Sequence, residues 1–152
     1  GQWFGRQDLQ GMRRAGFVSI ATILGATTLM AIALLLFRQP IIGLYIDLSD
    51  PDNAELIRLV EPLIIVVAVG HILDGVQKTT LGVLYGLQDT RVPVFLNILA
   101  YLGVGLISGY ALGFGAGLGA KGLWIGYYLG AATAAAVYSW RFMSKLRKFD
   151  SC

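Results

Sequence analysis

Residues 15–37 read AGFVSIATILGATTLMAIALLLF, 23 consecutive positions without a charge. At about 1.5 Å of rise per residue, that run makes a helix of roughly 35 Å, enough to cross a hydrocarbon core about 30 Å thick. It is bounded by Arg13-Arg14 before it and Arg38 after it. The same reading extends outward. Positions 92–120 hold 29 residues without a charge, positions 122–140 hold 19, and the stretch 59–76 is interrupted only by Glu61, His71 and Asp74. The expected fold is therefore an all-α integral membrane segment occupying 1–152, with four transmembrane helices at about 15–37, 54–85, 92–114 and 122–143. Barrel strands are excluded, since they are shorter and alternate in polarity.

Composition agrees. Hydrophobic residues make up 56% of the chain and charged residues 14%, against roughly 45–50% and about 25% in soluble domains, too little charge to cover a surface in water. The first apolar run exceeds the roughly 7–15 residues of a signal-peptide core, and no cleavage site follows it. A lone Cys152 excludes a disulfide framework or a multi-cysteine metal site. Position 1 is Gly and not Met, which is compatible with a piece of a longer chain.

Charge sets an orientation. Arg6, Arg13, Arg14, Lys78, Arg91, Arg141, Lys145, Arg147 and Lys148, nine of the twelve basic residues, fall on one side of the four spans. Arg38, Arg58 and Lys121 fall on the other, among Asp47, Asp50, Asp52 and Glu55. Short loops rich in Lys and Arg stay in the cytoplasm. Both termini are expected there, in a multi-pass plasma (inner) membrane protein. The basic residues flank spans without interleaved aromatics, which makes a nucleic-acid surface the weaker reading, and no nucleic-acid partner is expected. Trp3, Tyr85, Trp124 and Trp140 near span ends fit an interfacial belt.

The second span opens with helix-start residues: Ser49 or Asp50 as cap, Pro51 at the first position, and Asp52 and Glu55 near the positive helix end. Its length calls for tilt, protrusion or a bend, with Pro62 the place for a bend. Gly105, Gly109, Gly113 and Gly117 recur every fourth residue, as do Gly122, Gly126 and Gly130. Small residues at that spacing form a stripe along which helix backbones approach closely. A phosphate-cradling loop would need a strand before it, which is absent.

Ionisable groups inside a span are costly and mark function. Asp74 is the deepest. His71 and Gln77 lie one turn to either side on its face, and Gly70 and Gly75 leave room beside it. Desolvation raises a carboxyl pKa, and carboxylate oxygens ligate hard cations, so Asp74 suits proton or cation coupling. A pair with Lys78 at i+4 is geometrically allowed, but Lys78 lies a turn nearer the cytoplasm, where it can snorkel. Glu61, roughly 20 Å from Asp74 along the helix and close to Arg58, reads as interfacial. Asn97 and Tyr101, an i,i+4 pair, either face the same cavity or join two helices by hydrogen bonds. No nucleophile, base and orienter set exists, so an enzyme is not expected.

Several segments in order resemble the C-terminal part of the multidrug and toxic compound extrusion (MATE) family of cation-coupled antiporters, in its NorM-like branch. They are Gly5-Arg6-x-Asp8 with Arg13-Arg14-Ala15-Gly16; Leu73-Asp74-Gly75-x-Gln77; Gly86-x-x-Asp89-Thr90-Arg91-x-Pro93; Asn97-x-x-x-Tyr101; and Gly122-Leu123-Trp124-x-Gly126. Gln88 stands where the family usually has glycine. The resemblance implies the last four of twelve helices, with the remaining helices of the transporter as partners. It implies Asp74 as the coupling group for Na⁺ or H⁺, its carboxylate being the metal ligand if sodium is the ion. His71, Gln77, Asn97 and Tyr101 are candidate cavity-lining groups, and Asp89, Thr90, Arg91 and Pro93 form a cytoplasmic loop motif. No cofactor is expected beyond the coupling ion, and the cargo implied is an organic, often cationic, drug-like compound. The alternative is a truncated or split-gene remnant that inserts in the bilayer without transporting and acts at most as an assembly partner, because alternating access needs a second lobe.

Overall fold

The computed structural model describes residues 1–150; Cys152 and the Lys148 side chain lie outside the described parts. Six helices follow one another: α1 Gln2–Gly5, α2 Leu9–Leu36, α3 Arg38–Gly43, α4 Ala54–Gly86, α5 Arg91–Gly115 and α6 Ala120–Asp150. No strand occurs among the described residues. The long helices stand in a row in which α4 packs between α2 and α6, and α6 packs between α4 and α5.

Among the described residues, three helical stretches are long and apolar enough to cross a membrane: Leu9–Leu36, Pro51–Gly86 and Arg91–Gly115. The fourth expected span, 122–143, falls inside α6, which at 31 residues matches the others in length but is built from Gly, Ala and Tyr. A helix flanked on both sides by protein buries small residues and aromatics, here Ala131, Ala134 and Tyr138, each 0% exposed. By contrast α2 and α5 carry long apolar side chains outward, among them Leu29, Leu36, Phe95, Leu106 and Phe114. Total accessible surface is 9700 Å², against roughly 7500 Å² for a compact chain of this mass. The excess goes with a row of helices that leaves many large apolar side chains exposed.

Helix boundaries follow local chemistry. Asp8 caps α2 by accepting from the Gly11 N–H at 2.9 Å. Asp50 accepts from the Asp52 N–H at 3.0 Å, which starts the 3₁₀ turn Pro51–Asn53 that leads into α4. The Asp50 cap and Pro51 are thus as the sequence suggests, one turn ahead of the α-helix proper. Ser49 instead donates through its N–H and hydroxyl to Asp47, which holds the Asp47 carboxyl below the usual carboxylate range. The chain continues helically through Pro62.

α4 closes with a Schellman turn: Asp89 N–H donates to Leu84 O at 3.0 Å and Gln88 N–H to Tyr85 O at 3.0 Å. Gln88 therefore takes φ of +58°, the left-handed position that favours glycine. This explains in physical terms why glycine suits that position in the resembling family. Gln88→Gly is expected to stabilise the protein by about 1 kcal/mol, because it removes the side-chain penalty of the left-handed conformation, less the added freedom of the unfolded chain. Thermal melts of the complete protein in detergent check it; an unchanged or lower midpoint would contradict it.

The glycine stripe is where α5 meets α6. A Cβ on Gly126 would lie 2.2 Å from Gly109 Cα, one on Gly122 2.4 Å from Gly113 N, and one on Gly130 3.1 Å from Gly105 Cα. Gly117 does not continue the stripe: it sits in the turn before α6 with φ of +69° and nothing within 4 Å. Where it crosses these glycines α5 is loosened into π-helical turns, Leu99–Leu106 and Ala111–Gly115, a winding the apolar run does not announce.

Candidate functional site

Asp74 lies on α4, 8% exposed. Its Oδ2 accepts from Lys78 Nζ at 2.6 Å, and its Oδ1 accepts from the Tyr127 hydroxyl of α6 at 3.2 Å. Lys78 thus does not leave for the membrane surface as the snorkelling expectation had it. The i,i+4 spacing sets the ammonium over a carboxylate whose other bonded partner is a neutral phenol, and pairing offsets the cost of a charge in apolar surroundings. The two partners are unequal, with the Asp74 side chain 12% exposed and that of Lys78 68%.

The glycines beside Asp74 do not open space for ions or water, contrary to expectation. The Tyr128 ring covers Gly70, where a Cβ would lie 2.2 Å from three ring atoms, and the Thr27 methyl of α2 lies 2.6 Å from a Cβ on Gly75. Both glycines are small because a neighbouring helix presses on them. The space that Gly70 does border is an apolar pocket of about 380 Å³ between α4 and α6, lined also by Val69, Leu73, Ile125, Tyr128 and Leu129 and poor in the polar groups an ion or water needs.

The other polar residues form a second knot, one turn further along α4. Gln77 Nε2 donates to Asn97 Oδ1 at 3.3 Å, and the Tyr138 hydroxyl reaches the same oxygen at 2.9 Å and Pro93 O at 3.2 Å. Asn97 therefore joins α4, α5 and α6, the bundle-joining role of the two read for it. Tyr101 faces α6 too, its ring centroid 5.4 Å from that of Tyr127. His71 is half-buried one turn before Asp74 and is not among the groups bonded to it. Glu61 accepts from Gln39 Nε2, tying α4 to α3 at the far end of α4.

Of the loop motif, Asp89 is buried and receives α6: Arg141 Nε at 2.6 Å on Oδ2, Arg141 Nη2 at 3.2 Å on Oδ1, and Lys145 Nζ at 3.6 Å. Burial pushes the Asp89 carboxyl up, but the Arg141 bonds and the Lys145 and Arg141 charges outweigh it and hold the group below the usual carboxylate range. Pro93 is fully buried in the first turn of α5, where its missing N–H costs nothing, while Thr90 and Arg91 are exposed. The pairing of Asp89 with Arg141, and the approach of Gly1 to Gly86, place the chain's start, the α4–α5 turn and the late part of α6 at one end of the bundle, as the charge asymmetry requires.

Sequence reasoning missed Tyr127, Tyr138, Arg141 and Lys145. Tyr127 and Tyr138 lie eleven residues apart, about three turns, and so share a face of α6 amid Gly and Ala. That spacing is the one signal that marks them. Among the described residues no three His, Cys, Asp or Glu side chains gather as a metal cage. From this chain, a small cation at the site would find the Asp74 carboxylate and the Tyr127 phenol oxygen.

The MatE family profile matches residues 1–111. The "Probable multidrug resistance protein NorM" of Synechocystis sp. is 47% identical over 142 residues, covering 93% of this chain and 31% of that protein. The "Multidrug resistance protein NorM" of Burkholderia vietnamiensis is 41% identical over 145 residues, and its counterpart in Rhizobium meliloti, named as probable, is 34% identical over 148. The chain thus spans about a third of the length of the curated relatives it matches.

Proposed function

The chain belongs to the MatE family, and from that premise we propose that it is the C-terminal third of a cation-coupled multidrug antiporter. The complete protein exchanges Na⁺ or H⁺ inward for an organic, often cationic, compound outward, across the plasma (inner) membrane, with both ends of this segment cytoplasmic. Asp74 is the coupling group. It holds the cation in one state of the transporter and releases it in the other as two lobes rock around the site. The remaining helices, lipid and the drug-like cargo are its partners. The role asked of the chain is binding and release, and no covalent chemistry enters it.

One observation carries the reading: a carboxylate buried deep in a helix long enough to cross a membrane, held by a phenol on one oxygen and by the ammonium of a largely exposed side chain on the other. A buried carboxylate with strong, fixed partners is structural, whereas one with a single neutral bond and one mobile cation is prepared to exchange ligands. The Leu73-Asp74-Gly75-x-Gln77 resemblance adds that the family's coupling carboxylate stands at this position.

The test is Asp74→Asn in the complete protein, followed in cells by export of the fluorescent organic cation ethidium. Export is expected to fall at least about tenfold, because the amide keeps the shape and cannot carry the charge. Export that continued at the parent rate, with unchanged dependence on the ion gradient, would remove Asp74 from coupling.

A further inference from the structure

We propose that Lys78 is an internal competitor of the coupling ion: its ammonium occupies Asp74 when no ion is bound, and the ion enters by displacing it. This rests on Asp74 being the coupling group. The ammonium sits 2.6 Å from Oδ2, a distance at which a second cation cannot share that oxygen without strong repulsion. Its side chain is 68% exposed while the carboxylate is 12% exposed. Within this segment the lysine is the less packed partner, carried on a flexible four-carbon stem. Tyr127, on the other oxygen, remains as a neutral ligand during the exchange.

Such a competitor does two things. It keeps the empty site neutral, so the ion-free transporter can change conformation without dragging a bare carboxylate through apolar surroundings. It also sets the ion concentration at which the site fills, because the apparent dissociation constant is the intrinsic one multiplied by the ratio of all ion-free states to the unpaired one. The other titratable groups around Asp74 are His71 on its own helix, Tyr101 on α5, and Tyr127 and Tyr128 on α6; on α2 it is the uncharged Thr27 that presses on the adjacent Gly75. Lys78 is the cation bonded to Asp74.

The experiment uses the complete protein in lipid vesicles, with ethidium antiport measured against stepped sodium concentration, and against stepped pH if protons drive the parent. Lys78→Met and Lys78→Gln are expected to lower the half-saturating ion concentration at least threefold. Lys78→Arg, whose planar fork binds a carboxylate through two bonds, is expected to raise it. The exposed stem makes misfolding an insufficient explanation for a shift in opposite directions. If Met and Gln both stay within threefold of the parent while Asp74→Asn abolishes ion dependence, the competitor role is overturned and Asp74 coupling stands. If Asp74→Asn keeps its ion dependence, the coupling reading fails first and the competitor role with it.

Discussion

Gly126→Ala is expected to separate α5 from α6. The added methyl would lie 2.2 Å from both the N and Cα of Gly109 and 2.8 Å from the Gly105 carbonyl oxygen. All three obstacles are backbone, so no rotamer change relieves them, and the helices must part by about an ångström or more. Overpacking in a core ordinarily costs about 1–3 kcal/mol. Here the loss is at the upper end or beyond, since close backbone contact is what drives helix association where lipid is as apolar as the side chains. Separation also stretches the bonds that Tyr138 and Gln77 make to Asn97, placed on the same three helices. The control is Gly82→Ala, with nothing within 4 Å of its Cβ, which is expected to be neutral or to stabilise by up to about 1 kcal/mol. Thermal unfolding of the complete protein in detergent measures both. Equal midpoints for the two variants would show that the stripe does not hold the helices.

Asp89→Asn is the second large effect, and it is electrostatic. The carboxylate receives two bonds from Arg141 and the charge of Lys145 while itself buried. Removing one partner of a buried pair costs about 3–5 kcal/mol. Because Arg141 is a quarter exposed and Lys145 about a third, solvent recovers part of that, leaving about 2–3 kcal/mol. The pH dependence follows from the lowered pKa of Asp89. A carboxylate whose folded value is depressed contributes its full stability above its unfolded value of about 4, and loses it as pH falls through the folded value. Parent protein should therefore lose stability more steeply than Asp89→Asn as pH falls from about 5 through the lowered value of Asp89, and the two melting curves should converge below it. Parallel curves would contradict the pairing.

Much of the architecture was legible in residue order because it depends on properties each position carries by itself. The 23 uncharged residues before Arg38, the Asp50-Pro51 start and the four-residue glycine spacing as far as Gly113 all mean the same thing wherever the helices come to lie. Asp74 was legible for a similar reason: a carboxylate that deep is costly in any packing. What surrounds it was not. Tyr127 is 53 positions away and reaches Asp74 only because α6 turns that face toward α4. Arg141 reaches Asp89 through the same rotation, and spacing within one helix does not determine it. Gly70 and Gly75 were misread as room because a missing side chain looks alike in sequence whether solvent or a Tyr128 ring fills the gap. Lys78 turned on a rotamer, since the same stem reaches either the membrane surface or Asp74. Gln88 was visible as a departure from a glycine pattern, but its meaning came with the positive φ of the Schellman turn.

Transport by the reconstituted complete protein, under sodium and proton gradients imposed separately, bears most directly on Asp74 as the coupling carboxylate. Parent vesicles should move ethidium in response to one of the two gradients, and vesicles carrying Asp74→Asn in response to neither, with the protein still folded by its melting curve. Gradient-driven transport of equal rate in the two preparations would contradict the role assigned to Asp74.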